Sequence, residues 1–156
     1  MSEQSTHDTS ALSAIHLLHR AGQCADEIFS TVNSSNQLTP RQFEVLRTVA
    51  VSDEPSQTFL VVKTGIDRST LADIVRRLVE RGLLLRSRTR TDARRYAVAL
   101  TNDGRRALSE AEPIVAATNE RLLEAIPEVE RQEFLNSLDR IINSVEAANT
   151  STKPRV

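Results

Sequence analysis

Apolar or small residues recur at Leu12, Ile15, Leu18, Gly22, Ala25, Phe29 and Val32. These steps of three and four form one side of a helix spanning about residues 10–32, and the run Asn33-Ser34-Ser35-Asn36 ends it. A second helix opens at Thr39-Pro40, with threonine as N-cap and proline at the first helical position. Phe43, Val45, Leu46 and Val49 supply its apolar side, and it stops before Ser52-Asp53-Glu54-Pro55. Ser56 then caps a short helix through Thr64 that carries Phe59, Leu60 and Val62, and Gly65 breaks it. A further helix starts at Asp67 or Arg68, runs to Arg81 and is closed by Gly82.

Two short strands are expected next, Leu83 to Arg88 and Arg95 to Leu100. Tyr96, Val98 and Leu100 alternate with Arg95, Ala97 and Ala99, the pattern of a half-buried strand. Thr89 to Arg94 is their loop. Thr101 caps a long helix toward Ile126, with Pro113 expected to bend it. After Pro127, a last helix carries Val129, Phe134, Leu138, Ile141, Ile142 and Val145. Residues 1–9 and the polar tail 148–156 are expected to be disordered.

The order is therefore helix, helix, helix, turn, helix, hairpin, helix, helix. That is a mainly α (α+β) chain with a winged helix-turn-helix over 38–103. Residues 10–37 and 104–147 are expected to form a helical dimerisation region, because their apolar faces have no other domain to cover and a symmetric dimer buries them.

Composition supports the helical reading. Aromatics make up 3% of the 156 residues and there is no tryptophan, so the core must come from Leu, Val, Ile and Ala. No stretch approaches the roughly 18 consecutive apolar residues of a membrane span. The opening MSEQSTHDTS has neither a basic start nor an apolar run, and Cys24 is the one cysteine. A cytoplasmic protein is the expectation. No glycine-rich phosphate loop, zinc-ligand spacing or nucleophile constellation is present, so neither an enzyme nor a cofactor is expected.

Charge is distributed unevenly. Net charge is −1 overall, yet the stretch from Lys63 to Arg106 is +7 and the remainder −8. Such asymmetry is the electrostatic footprint of a polyanion partner. On the helix from Arg68 to Arg81, Leu71, Ile74, Val75 and Leu78 share one face. Ser69, Thr70, Asp73, Arg76 and Arg77 occupy the other. Hydroxyls bond bases or phosphates, Asp accepts from the cytosine amino group, and Arg bonds guanine through two donors. The outer face, with Arg68 at its start, is thus a candidate for reading double-stranded DNA. The hairpin adds Arg86, Arg88, Arg90, Arg94 and Arg95, more cations than a charged edge strand requires to avoid stray pairing. The rival reading is a winged-helix module that contacts protein or RNA instead of duplex DNA.

Asp92-Ala93-Arg94, followed after five residues by Leu100-Thr101-Asn102-Asp103-Gly104, resembles the D-x-R-x5-L-T-x2-G pattern of the multiple antibiotic resistance regulator (MarR) family. Lys63 to Leu71 resembles that family's recognition element, and Leu38 to Phe43 the start of its second helix. The resemblance covers about residues 10–147. It implies a homodimeric transcription regulator, expected to be a repressor, on a pseudo-palindromic operator. Asp92 would shape the wing loop, Arg94 would enter the minor groove, Leu100 would anchor the strand, Thr101 would cap the next helix and Gly104 would permit close packing. It further implies a small aromatic or phenolic effector that lowers DNA affinity, for which His16, His19, Arg20 and Arg47 are candidate contacts. His16 and His19 with no further ligand make a poor metal site, so no metal is expected. Cys24 is expected to be a small buried residue.

Overall fold

The computed structural model describes residues 13–33, 38–89 and 96–151. Six helices and one two-stranded antiparallel sheet follow in the order α1 (Ala14–Val32), α2 (Pro40–Ala50), α3 (Gln57–Thr64), α4 (Arg68–Glu80), β1 (Leu84–Arg88), β2 (Tyr96–Leu100), α5 (Asn102–Leu123) and α6 (Glu128–Ser151). The chain forms two compact units, one up to Thr118 and one from Asn119 onward. Their boundary lies within α5, and α1 belongs with the first unit.

The helix starts are local chemistry. Thr39 accepts from the Gln42 amide (3.2 Å) while the Gln42 side chain accepts from the Thr39 amide (3.1 Å), a reciprocal box that ties down two otherwise unpaired donors. Ser56 accepts from the Phe59 amide at 3.1 Å. At the α3 C-terminus Gly65 takes φ 65°, a left-handed turn that glycine enters without the Cβ penalty.

The core of the first unit gathers Leu46, Leu60, Leu71, Leu78 and Leu84 with Val45 and Val75, all fully buried. It is aliphatic, as the shortage of aromatics requires. α2 packs on α3, α4 and β2, α3 on α4, and α4 on β1. β1 and β2 pair from Leu84 opposite Leu100 to Arg88 opposite Tyr96. The half-buried alternation expected of β2 does not hold: Ala97 and Val98 are both buried, at 2% exposure each. α2 packs on this strand, and the Val98 amide donates away from β1 to the Pro55 carbonyl (3.0 Å). The segment before α3 thus takes the bonding edge of β2.

The junction of wing and α5 is tight. Thr101 Oγ1 donates to the Gly82 carbonyl (2.6 Å) and accepts from the Gly104 amide (2.9 Å), while the Thr101 amide donates to the Leu83 carbonyl (3.2 Å). Gly104 is buried in the first turn of α5, where a Cβ would fall 2.0 Å from the Leu83 carbonyl oxygen and 3.0 Å from Leu100 Cδ2.

Two helix ends differ from expectation. α5 stops at Leu123, short of Ile126, where the ladder gives way to tighter bonds from Glu124 to Arg121 and from Ile126 to Leu123. α6 continues through 148–151, which the polar composition had suggested was unstructured. No helix among the described residues is long and apolar enough to cross a membrane.

Gly104→Ala should destabilise the first unit by about 2 kcal/mol or more, the scale of forcing an extra carbon into a filled site. The obstacle here is backbone and cannot rotate aside. Thermal denaturation followed by circular dichroism measures it, and an unchanged midpoint would mean that this junction relaxes freely.

Candidate nucleic-acid interface

Leu71, Ile74, Val75 and Leu78 are buried, at 0, 8, 0 and 0% exposure, which determines how α4 is rotated about its axis. The opposite face carries Ser69, Asp73, Arg76, Arg77 and Glu80 outward. At the N-terminus of α4, one Asp67 carboxylate oxygen accepts from the Ser69 hydroxyl (2.7 Å) and from the Thr70 amide (2.9 Å). The Ser69 hydroxyl, aided by the Thr70 side chain and amide, holds the Asp67 carboxyl well below its ordinary range. Bonded this way, Ser69 presents lone pairs outward instead of a hydrogen.

Further along the face the charges interlock. Arg76 lies between Asp73 and Glu80, reaching the latter at 2.8 Å, and Asp73 also forms an ion pair with Arg77, whose Nε lies 2.8 Å from Oδ2. Arg76, and then Arg77, lower the Asp73 carboxyl, and Glu80 with Asp73 raises Arg76. All four side chains are substantially exposed, so solvent screening leaves these pairs little weight in stability. The spacing of three and four residues is what lets these side chains meet, although the sequence reading placed only Asp73, Arg76 and Arg77 on the outward face and did not single out Glu80.

Arg68 and Arg86 carry no ion pair among the described residues. Both line a groove of about 360 Å³ together with Ser56, Gln57 and Thr58 at the α3 N-terminus and Tyr96 to Val98 of β2. Gln57 and Thr58 were not singled out from the sequence, because only the docking of the 52–56 segment on β2 brings them there. Helix N-terminal amides beside two guanidiniums form a setting for a phosphate. Arg88 lies over the Tyr96 ring at 5.2 Å, a cation–π contact across the strand pair. Arg90, Asp92, Arg94 and Arg95 of the wing tip lie outside the described residues.

The candidate effector residues are not joined to one another by any hydrogen bond or ion pair among the described residues. His16 and His19 are exposed on α1, Arg20 donates to Gln23 (3.0 Å), and Arg47 pairs with Glu44 (3.2 Å). Cys24 is exposed, which corrects the expectation of burial. Neighbouring helix positions differ by about 100°, so adjacency to Ala25 turns the thiol away from the side that buries Phe29. Among the described residues, no group of three or more metal-binding side chains occurs.

A helix-turn-helix whose second helix points a polar face outward, beside a basic two-stranded wing, defines a winged-helix DNA-binding protein. The MarR family model matches residues 38–96. The transcriptional repressor NicR of Pseudomonas putida is 32% identical over 133 residues, covering 85% of this chain and 84% of NicR. The transcriptional repressor CouR bound to a 23-mer DNA duplex superposes with a TM-score of 0.78 at 32% identity, over 90% of this chain and 99% of that one. BpsR of Bordetella bronchiseptica, whose DNA binding is regulated by 6-hydroxynicotinic acid, gives a TM-score of 0.77 at 30% identity, over 82% and 91%. The chain belongs to the MarR family of DNA-binding transcriptional regulators.

The low Asp67 value sets a pH dependence. A carboxyl depressed in the folded state contributes stability that is fully present above its ordinary value of 3.8 and is lost as pH falls toward the folded value. Asp67→Ala should therefore lower stability at neutral pH, and the gap from wild type should narrow below about pH 4. Urea titrations at several pH values measure this, and a gap independent of pH would exclude the carboxylate as its source.

Proposed function

We propose that the protein is a homodimeric repressor that binds a pseudo-palindromic operator and releases it when a small aromatic or phenolic acid binds. The observation that carries this reading is the outward polar face of α4 next to the groove lined by Arg68 and Arg86. In this reading α4 enters the major groove, with Arg68, Ser69, Thr70, Asp73, Arg76 and Arg77 facing DNA. Arg86 and Arg88 track phosphates, and Arg90, Arg94 and Arg95 bring the wing to the minor groove. Asp92 shapes the wing loop, and Leu100, Thr101 and Gly104 hold the wing on α5.

Support for the dimer comes from uncovered apolar side chains in each unit. Ile15, Leu17 and Leu18 of α1 are 65, 49 and 42% exposed, and Val129, Ile141, Ile142 and Val145 of α6 lie between 50 and 90%. No described residue of α6 is buried in the single chain. A second copy that covers these faces would also supply a second α4, about one DNA turn (roughly 34–36 Å) from the first. Support for repression and for an aromatic acid comes from NicR and BpsR. The effector would act by linkage, favouring a dimer geometry in which the two α4 helices no longer match successive grooves. His16, His19, Arg20 and Arg47 are its proposed contacts.

Sedimentation should give twice the 17.3 kDa chain mass, and a monomer at micromolar concentration would refute the dimer. Fluorescence anisotropy with the duplex upstream of the protein's own gene should show affinity that falls steeply with added salt, as phosphate neutralisation requires. Arg94→Ala should weaken binding about tenfold while leaving the dimer intact, the scale of a lost charge-assisted contact. Absence of binding at low salt would favour a protein- or RNA-contacting module instead.

A further inference from the structure

The outer face of α4 carries two arginines held in different ways. Arg76 is bridged at both ends of its guanidinium: Nη2 bonds Asp73, and Nη1 bonds both Glu80 oxygens, at 2.8 and 3.0 Å. Arg77 approaches Asp73 with Nε nearest, 2.8 Å from Oδ2, and its side chain is 60% exposed. Neither of its Nη groups makes a hydrogen bond among the described residues, whereas both of those of Arg76 do.

This difference matters because a guanidinium has two distinct edges. The side edge, Nε with one Nη, suits a phosphate or carboxylate. The end edge, both Nη groups, suits the O6 and N7 acceptors that guanine displays in the major groove. Asp73 lies against the Nε side of Arg77, which leaves the end edge of this exposed side chain without a hydrogen bond among the described residues. The ion pair also restrains a side chain with many rotamers, so less freedom remains to be lost when the base is met.

We propose that Asp73 is a positioning residue that aims the end edge of Arg77 at a guanine of the operator, an inference that rests on the DNA-binding reading of α4. Arg76, with both Nη groups engaged, contributes charge and does not read a base. A carboxylate so close to DNA repels phosphates, and by itself that would weaken binding to every sequence alike. The positioning role has a different signature, a loss of discrimination at one base pair in each half-site.

The test is selection from randomised duplexes, followed by anisotropy on the selected site and on versions with that guanine replaced. Wild type, D73N, D73A, R77A and the double variant D73N with R77A are compared, all with substitutions on the exposed face. Wild type should select a guanine at two symmetry-related positions, and R77A should lose that preference. D73N and D73A should lose it by about tenfold or more, the scale of one bidentate contact. They should bind an unrelated duplex at low salt as tightly as wild type or tighter. In the R77A background, D73N should change nothing further in base preference. Retention of the guanine preference by D73N and D73A would overturn the proposal, as would a uniform change on all sequences that persists without Arg77. A wild-type protein that binds no duplex would instead overturn the DNA reading itself, and the proposal with it.

Discussion

The burial of one face of α4 against α2, α3 and β1 is the constraint on which the rest depends. Leu71, Val75 and Leu78 are completely enclosed and Ile74 nearly so. Four side chains at helical spacing leave the helix no freedom to roll, because a turn of about 100° would exchange leucines for arginines in the core. The direction in which Ser69, Asp73, Arg76 and Arg77 point is thus decided by packing energy. A fully buried leucine is worth roughly 2–5 kcal/mol against alanine, far more than any single surface ion pair on the opposite face.

With that orientation settled, the carboxylates of α4 gain a significance that net charge conceals. Asp67 turns the Ser69 hydroxyl inward and leaves its lone pairs outward, while Asp73 and Glu80 hold the two arginines beyond them. Acids on a DNA-facing helix oppose binding if counted as charges alone. Their geometry suggests a second role, selecting which donors and acceptors the helix offers. Local hydrogen bonding and long-range electrostatics then pull in opposite directions, and the balance shifts with ionic strength because only the second is strongly screened.

The wing is held from three sides. β1 supplies the ladder, Pro55 accepts from the outer edge of β2 at Val98, and the Thr101–Gly104 turn pins its base to the Leu83 carbonyl. A two-stranded hairpin by itself is marginal in water. Here its base is tied by hydrogen bonds to Pro55, Gly82 and Leu83, and α3, the start of α4 and the strands present Gln57, Thr58, Arg68 and Arg86 to one groove. The lining of this groove is assembled from elements far apart in the chain.

Helix starts, the glycine turns and the inward faces of α2 and α4 were legible from residue types and spacing, because capping and 3.6-residue periodicity are local physics. Thr39, Ser56, Asp67, Gly65 and Gly82 act within a few residues of themselves, and the basic character of the stretch from Lys63 to Arg106 needed only counting. Tertiary structure alone decided that Ala97 is buried together with Val98, that Cys24 is exposed, that Gln57 and Thr58 share a groove with Arg86, and that the two-unit boundary lies within α5. Each of these depends on what lies opposite a residue in space. Periodicity shows which face of an element is apolar, whereas only packing determines what covers it.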